Sequence, residues 1–138
     1  MFSGVGAETY GGRFNSPGNK VVYTAGSLSL GILELVVQGN KKERLHGLVY
    51  ATASFDSELV NTIDVGDLPD NWDARPATSE SQLFGDGWIQ AQESVVLRVP
   101  SVVVPDEYNY MLNPNHPSFD HVEIGEVREI DLDSRLIH

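Results

Sequence analysis

Residues 27–38, SLSLGILELVVQ, constrain the fold more than any other stretch of the chain. Ser27 is a residue type that caps helix N-termini. Leu28, Leu30, Ile32, Leu33, Leu35, Val36 and Val37 follow it and place apolar groups on most sides of a helix. Gly39-Asn40 supplies the stop. A helix of this kind needs cover on most of its surface. A chain of 138 residues provides it within one domain built around a single core. Gly31 costs about 1 kcal/mol relative to alanine inside a helix, which points to close packing there. Glu34 is the one charge in the run. A buried carboxylate needs a partner or water, because burying it alone is expensive. The plain alternative leaves it on the single exposed edge of the helix.

The flanking segments supply partners for that helix. Residues 1–19 are rich in glycine and read as a loop, with Arg13 inside GGRFNSPG. Residues 20–24 are a short strand ending near Tyr23. Residues 41–44, KKER, form a solvated basic turn, and residues 48–54 a second strand. Residues 55–80 read as an ordered but irregular connection. Residues 79–92 carry a helical signal, with Ser79 as cap and Leu83, Phe84, Trp88 and Ile89 as an apolar stripe. Residues 94–99 form a strand that Pro100 interrupts and residues 101–104 continue. Residues 106–118, with Asn-Pro and His-Pro pairs, read as a loop. Residues 121–130 alternate apolar and polar and read as a strand. The mixture is α+β, in one domain without internal repeats.

Composition removes several classes of function. A net charge of −11 repels nucleic acid phosphates, so direct nucleic acid binding is not expected, and a basic protein partner suits the surface better. With no cysteine in the chain, disulfides and thiolate chemistry are excluded. No apolar stretch approaches the ~20 residues of a membrane span, and no secretory signal opens the chain, so a cytoplasmic location is the default expectation. The glycine loop is neither a Walker loop nor a dinucleotide fingerprint. His46, His116, His121 and His138 lack metal-ligand spacing, so no metal is expected. Taken singly, Arg13, Tyr23, Ser94 and Ser101 each have an ordinary structural reading. They are a surface arginine, a core tyrosine and two strand-end hydroxyls bonded to backbone.

Five blocks in order nevertheless resemble one family, the RES-domain toxins, named for arginine, glutamate and serine. They are GGRFNSPG at 11–18, VVY at 21–23, LEL at 33–35, the tryptophan-to-VPS segment at 88–105, and NYMLNPNHP at 109–117. DLPDNW at 67–72 is similar too. The resemblance covers nearly the whole chain. It implies a single domain with a mixed sheet and a few helices, resembling the ADP-ribosyltransferase fold. It also implies the toxin of a bacterial type II toxin–antitoxin pair, neutralised by an Xre-type helix-turn-helix antitoxin. The implied activity is cleavage of the nicotinamide–ribose bond of NAD⁺, with water or phosphate as acceptor; NAD⁺ is substrate, and no cofactor is implied. Mono-ADP-ribosylation of a protein is the alternative. Residue by residue, the resemblance puts Arg13, Tyr23 and Glu34 in the site. It matches the serine first to Ser101 and second to Ser94, and lines the pocket with Asn109 and Asn113. Family members carry a further strand, an aromatic–arginine segment, ahead of the Phe2-Ser3-Gly4 loop. Its absence from this sequence keeps open a third reading, an inactive domain that only binds antitoxin. Oligomeric state is not legible; a homodimer is set down as the default.

The implied chemistry accounts for the residue types. Nicotinamide leaves ribose as a neutral molecule, so no general acid is needed and the usual pair of glycosidase carboxylates reduces to one. Glu34 would stabilise the oxocarbenium-like charge, hold a ribose hydroxyl, or orient the nucleophile. Arg13 would clamp the diphosphate through its planar fork. Tyr23 would stack on a ring of the ligand, and a serine would hydrogen-bond the ribose or the nicotinamide amide.

Overall fold

The computed structural model describes residues 3–39 and 47–136. The expected helix stop at Asn40, the turn at 41–44, and His46 and His138 lie outside the described residues. Among the described residues, three helices, α1 (Val5–Tyr10), α2 (Leu28–Gly39) and α3 (Ser79–Ala91), are interspersed with eight strands. These are β1 (Val22–Ala25), β2 (Val49–Tyr50), β3 (Ala53–Ser54), β4 (Val60–Thr62), β5 (Val96–Pro100), β6 (Tyr108–Leu112), β7 (Glu123–Ile124) and β8 (Arg128–Glu129).

The main sheet has the order β1-β6-β5-β4. β6 runs antiparallel to both β1 and β5, and β4 runs parallel to β5. The expected mixed sheet is therefore present. Its register sets two faces. Tyr23, Met111 and Leu97 form one cross-strand row; Val22, Leu112, Val96 and Val60 form a row on the opposite face. Phe14, Leu68, Trp72, Trp88 and Ile89 cover the first face. Val122, Phe55, Leu59 and Phe119 cover the second.

α2 and α3 form where expected, but α2 is not covered on most sides: Leu30 is buried while Leu28, Leu33, Val36 and Val37 are exposed. Ser27 Oγ accepts the Leu30 N–H at 3.1 Å, capping α2. α3 is capped by Thr78 rather than Ser79, with Thr78 Oγ1 accepting from Ser81 N–H at 3.2 Å. In its stripe, Trp88 and Ile89 are buried while Leu83 is exposed.

Several expectations are corrected. Residues 1–19 are not all loop, since α1 lies within them. Residues 48–54 form two two-residue strands, paired with β8 and β7 outside the main sheet. Residues 121–130 begin in a 3₁₀ turn (Phe119–His121) and contribute only β7 and β8. The connection at 55–80 contains β4, whose parallel pairing with β5 no local pattern announces. Pro100 does not interrupt a strand; it ends β5, where a missing N–H is tolerated. Residues 101–104 then turn away, because Ser101 Oγ accepts the Val103 and Val104 N–H groups. The largest correction is β6, expected as loop and found as an interior strand with Met111 and Leu112 wholly buried. The prolines behind the loop reading, Pro114 and Pro117, come after β6 ends. Among the described residues, no helix is long and apolar enough to cross a membrane.

Candidate active site

Arg13 sits on a loop held from both sides. Gly11 and Gly18 have φ of +76° and +102°, a region that only glycine enters cheaply. Asn15 is fully buried, and its Nδ2 donates to the carbonyls of Ala7 at 2.8 Å and Asn19 at 3.1 Å. Its Oδ1 accepts the Tyr23 hydroxyl at 2.6 Å, while that hydroxyl accepts the Phe14 N–H at 3.1 Å. From the far side, α3 reaches the same loop. Gln82 Nε2 donates to Gly12 O at 3.0 Å, and Asp86 Oδ1 accepts from Ser16 N–H at 2.9 Å. The glycines thus serve close approach and turning, not mobility.

The guanidinium of Arg13 donates through Nη1 to the carbonyls of Trp72 and Ala74, both at 2.8 Å. Nε and Nη2 have no hydrogen bond among the described residues. Burial depresses its pKa, and the charge of Arg75 adds to that effect; Asp73 and Tyr23 oppose it. Two cations therefore stand near each other on an acidic protein. Arg75 was not singled out from sequence, where an exposed Arg-Pro pair carries no signal. Tyr23 is pushed up in pKa mainly by burial and stays protonated, its hydroxyl committed to the loop. Its side chain is nonetheless 40% exposed.

Glu34 projects from α2 onto the same face of the sheet. Its Oε1 accepts from Asn109 Nδ2 at 2.7 Å, a bond between residues 75 positions apart. Burial raises its pKa, and the Asn109 bond works against that rise. Asn109 lies opposite Ala25 on β1 and Val99 on β5. Ala25 and Tyr23 are two residues apart on one strand, so Asn109 is the diagonal neighbour of Tyr23, at roughly 7–8 Å. The fold joins Glu34 to Asn109 and sets Asn109 diagonal to Tyr23, which in turn neighbours Arg13.

The other candidates are placed differently. Ser94 Oγ accepts from Trp88 Nε1 and donates to Val96 O, both at 2.9 Å, and is buried. Asn113, fully buried, donates to Ile89 O at 3.1 Å and accepts the Asn115 N–H at 3.1 Å. Ser101, also fully buried, closes its turn with both lone pairs and keeps its O–H to donate. Its N–H donates to Glu107 O, extending the β5–β6 pairing just beyond Val99 and Asn109. Ser101 is thus closer in register to the Glu34 partner than Ser94. The described residues hold no group of histidines and carboxylates able to bind a metal. His116 bridges Gln92 O and the Ser118 N–H, a structural use of both ring nitrogens.

A cavity of about 700 Å³ lies beside α2. Ala25, Gly31, Leu35, Tyr50, Phe55 and Tyr110 are among its walls. Among the described residues it touches Tyr23 but not Arg13, Glu34 or Asn109, and none of its described walls is charged.

A mixed four-stranded sheet with helices packed against it, and with Glu34 and Asn109 joined on one face, defines an α+β domain. The RES domain model matches residues 1–133, and the chain belongs to that family. It is 38% identical to the Prs ADP-ribosylating toxin of Sphingobium sp. (strain YBL2), over 98% of this chain and 86% of that protein. It is 35% identical to Toxin Res of Photorhabdus laumondii, over 99% of this chain and 88% of that protein. The crystal structure of the M. tuberculosis MbcT–MbcA toxin–antitoxin complex contains a chain of the same fold. Its TM-score is 0.75 at 15% identity, over 92% of this chain and 75% of that one.

Proposed function

We propose that this chain is the toxin of a toxin–antitoxin pair and that it cleaves the nicotinamide–ribose bond of NAD⁺. One observation carries the reading. A guanidinium whose Nε and Nη2 have no hydrogen bond among the described residues, and a half-buried carboxylate, sit on the loop and the helix that meet Tyr23 and Asn109. Diphosphate carries two negative charges, and Arg13 with Arg75 supplies the local cations that a protein at −11 otherwise lacks. With the Tyr23 hydroxyl used internally, its ring face is what remains for nicotinamide or adenine. Glu34 in its ionised form stabilises positive charge at ribose C1 as neutral nicotinamide departs. Its partly desolvated setting strengthens that interaction. Water or phosphate then attacks C1. Ser101, which keeps an O–H to donate, is the serine proposed to assist.

Mono-ADP-ribosylation of a protein is the second reading, favoured by the name of the Sphingobium relative. The two share a site and differ in acceptor. Purified protein with NAD⁺, with and without phosphate, separates them. Free ADP-ribose or its 1″-phosphate supports the first; label on protein supports the second; intact NAD⁺ in both overturns the enzymatic reading. The partner fitting an acidic toxin is a basic antitoxin of the Xre type that keeps NAD⁺ from the site. Turnover unchanged by that partner would refute this arrangement.

A further inference from the structure

Asn109 is bound at one end only. Its Nδ2 meets Glu34 Oε1 at 2.7 Å, while its Oδ1 is buried without a hydrogen-bond partner among the described residues. Buried polar atoms left unmet are uncommon and call for a reason. β6 supplies part of it. The strand is flanked on both sides, by Ala25 and by Val99, so residue 109 cannot shift to find its carbonyl a donor. The amide could still turn over about its last bond. That would set Oδ1 against Oε1, an acceptor facing an acceptor, unless Glu34 were protonated. The orientation with the orphan is therefore the one an ionised Glu34 selects.

We propose that Asn109 is a positioning residue, whose amide aims the Glu34 carboxylate across the sheet face and holds it in the ionised form. The proposal rests on Glu34 being the catalytic carboxylate. Asparagine suits the task because it donates without adding charge. An aspartate there would face Glu34 with a like charge, and an alanine would leave the carboxylate desolvated and unbonded. Among the described residues, burial and the Asn109 amide are what bear on Glu34. α2 holds no charged side chain but Glu34 among those described, β1 holds the neutral Tyr23, and β6 holds Tyr108 and Tyr110.

The test compares parent, Asn109→Ala and the isosteric Asn109→Asp in NAD⁺ turnover across pH, alongside a ¹³C carboxyl titration of Glu34 by NMR. In both variants the acid limb of the rate profile moves to higher pH, more in Asn109→Asp. At neutral pH kcat falls about tenfold or more while KM changes less than about threefold. The Glu34 titration moves the same way without reference to turnover. A folded Asn109→Ala with the parent's pH profile and the parent's Glu34 titration overturns the proposal. Should Asn109→Ala not fold, the same two readouts on Asn109→Asp decide it. A Glu34→Gln variant turning over NAD⁺ at the parent rate removes the catalytic reading of Glu34. The NMR titration then still decides whether Asn109 sets its ionisation.

Discussion

Gly85→Ala is the sharpest test of how the Arg13 loop is held. A Cβ at position 85 would lie 1.7 Å from the carbonyl oxygen of Phe14 and 2.5 Å from its carbon. Both are backbone atoms, so no side-chain rotation relieves the clash. Ordinary contact returns only if loop and helix separate by roughly 1.5 Å. Such a shift stretches Gln82–Gly12 (3.0 Å) and Asp86–Ser16 (2.9 Å) past hydrogen-bonding range. The neutral bond contributes about 1 kcal/mol and the carboxylate bond about 2 kcal/mol, and overpacking costs about 1–3 kcal/mol. Alanine returns about 1 kcal/mol through helix propensity. The net is a loss of about 3–5 kcal/mol, or roughly 10–20 °C in Tm for a domain of this size. Urea denaturation should show a lower midpoint with an unchanged slope. NAD⁺ affinity should fall as well, because the displaced loop carries Arg13. A variant as stable as the parent, or more stable by the helix-propensity increment, would refute the close approach and the clamp built on it.

Other substitutions separate structural from chemical roles. Ser94→Ala leaves the buried indole N–H of Trp88 without a partner and should cost about 1–3 kcal/mol by denaturation. The rate of NAD⁺ cleavage per folded molecule should stay at the parent value; a large fall would return Ser94 to the site. Arg75→Ala, at an exposed position, should leave stability within about 0.5 kcal/mol of the parent while raising KM for NAD⁺. An unchanged KM would remove the second cation from the site. Glu34→Gln tests burial through linkage. The folded carboxyl has a pKa above its ordinary value of 4.5, so the folded state binds the proton more tightly than the unfolded state. The parent's stability from this group is full below that value and is lost as pH rises through the folded pKa. The amide of the Glu34→Gln variant cannot ionise, so the stability difference between variant and parent should widen in the variant's favour over that window. A difference flat with pH would contradict the burial of Glu34.

Short-range physics made part of the molecule legible. The cap at Ser27, the apolar content of α2 and the strand before it follow from side chains within a few residues of each other. The same holds for most of α3 and for β5. The motif blocks pointed to the family, and the family match over residues 1–133 agrees with that resemblance. Where local signals competed, the reading failed. The turn-forming Asn113-Pro114 pair drew β6 into a loop, although Tyr108, Tyr110, Met111 and Leu112 are strand formers or core residues. The missed strand is the one carrying Asn109.

What the sequence determined alone was the class of the fold, the helices α2 and α3, and which residue types could handle an anion and a positively charged sugar. Which side chains meet was decided by tertiary structure. Arg13 reaches carbonyls 59 and 61 residues away, and Glu34 takes its hydrogen bond from 75 residues away. Ser94 and Ser101 look alike as strand-end hydroxyls, yet one serves a tryptophan and the other closes a turn beside the β5–β6 pairing. Propensities and caps act over a turn or a pair of strand residues. Cross-strand register has a period of two, so a slip by one residue would send Asn109 to the opposite face, away from Glu34. Only packing both faces of the sheet at once selects the register that joins them.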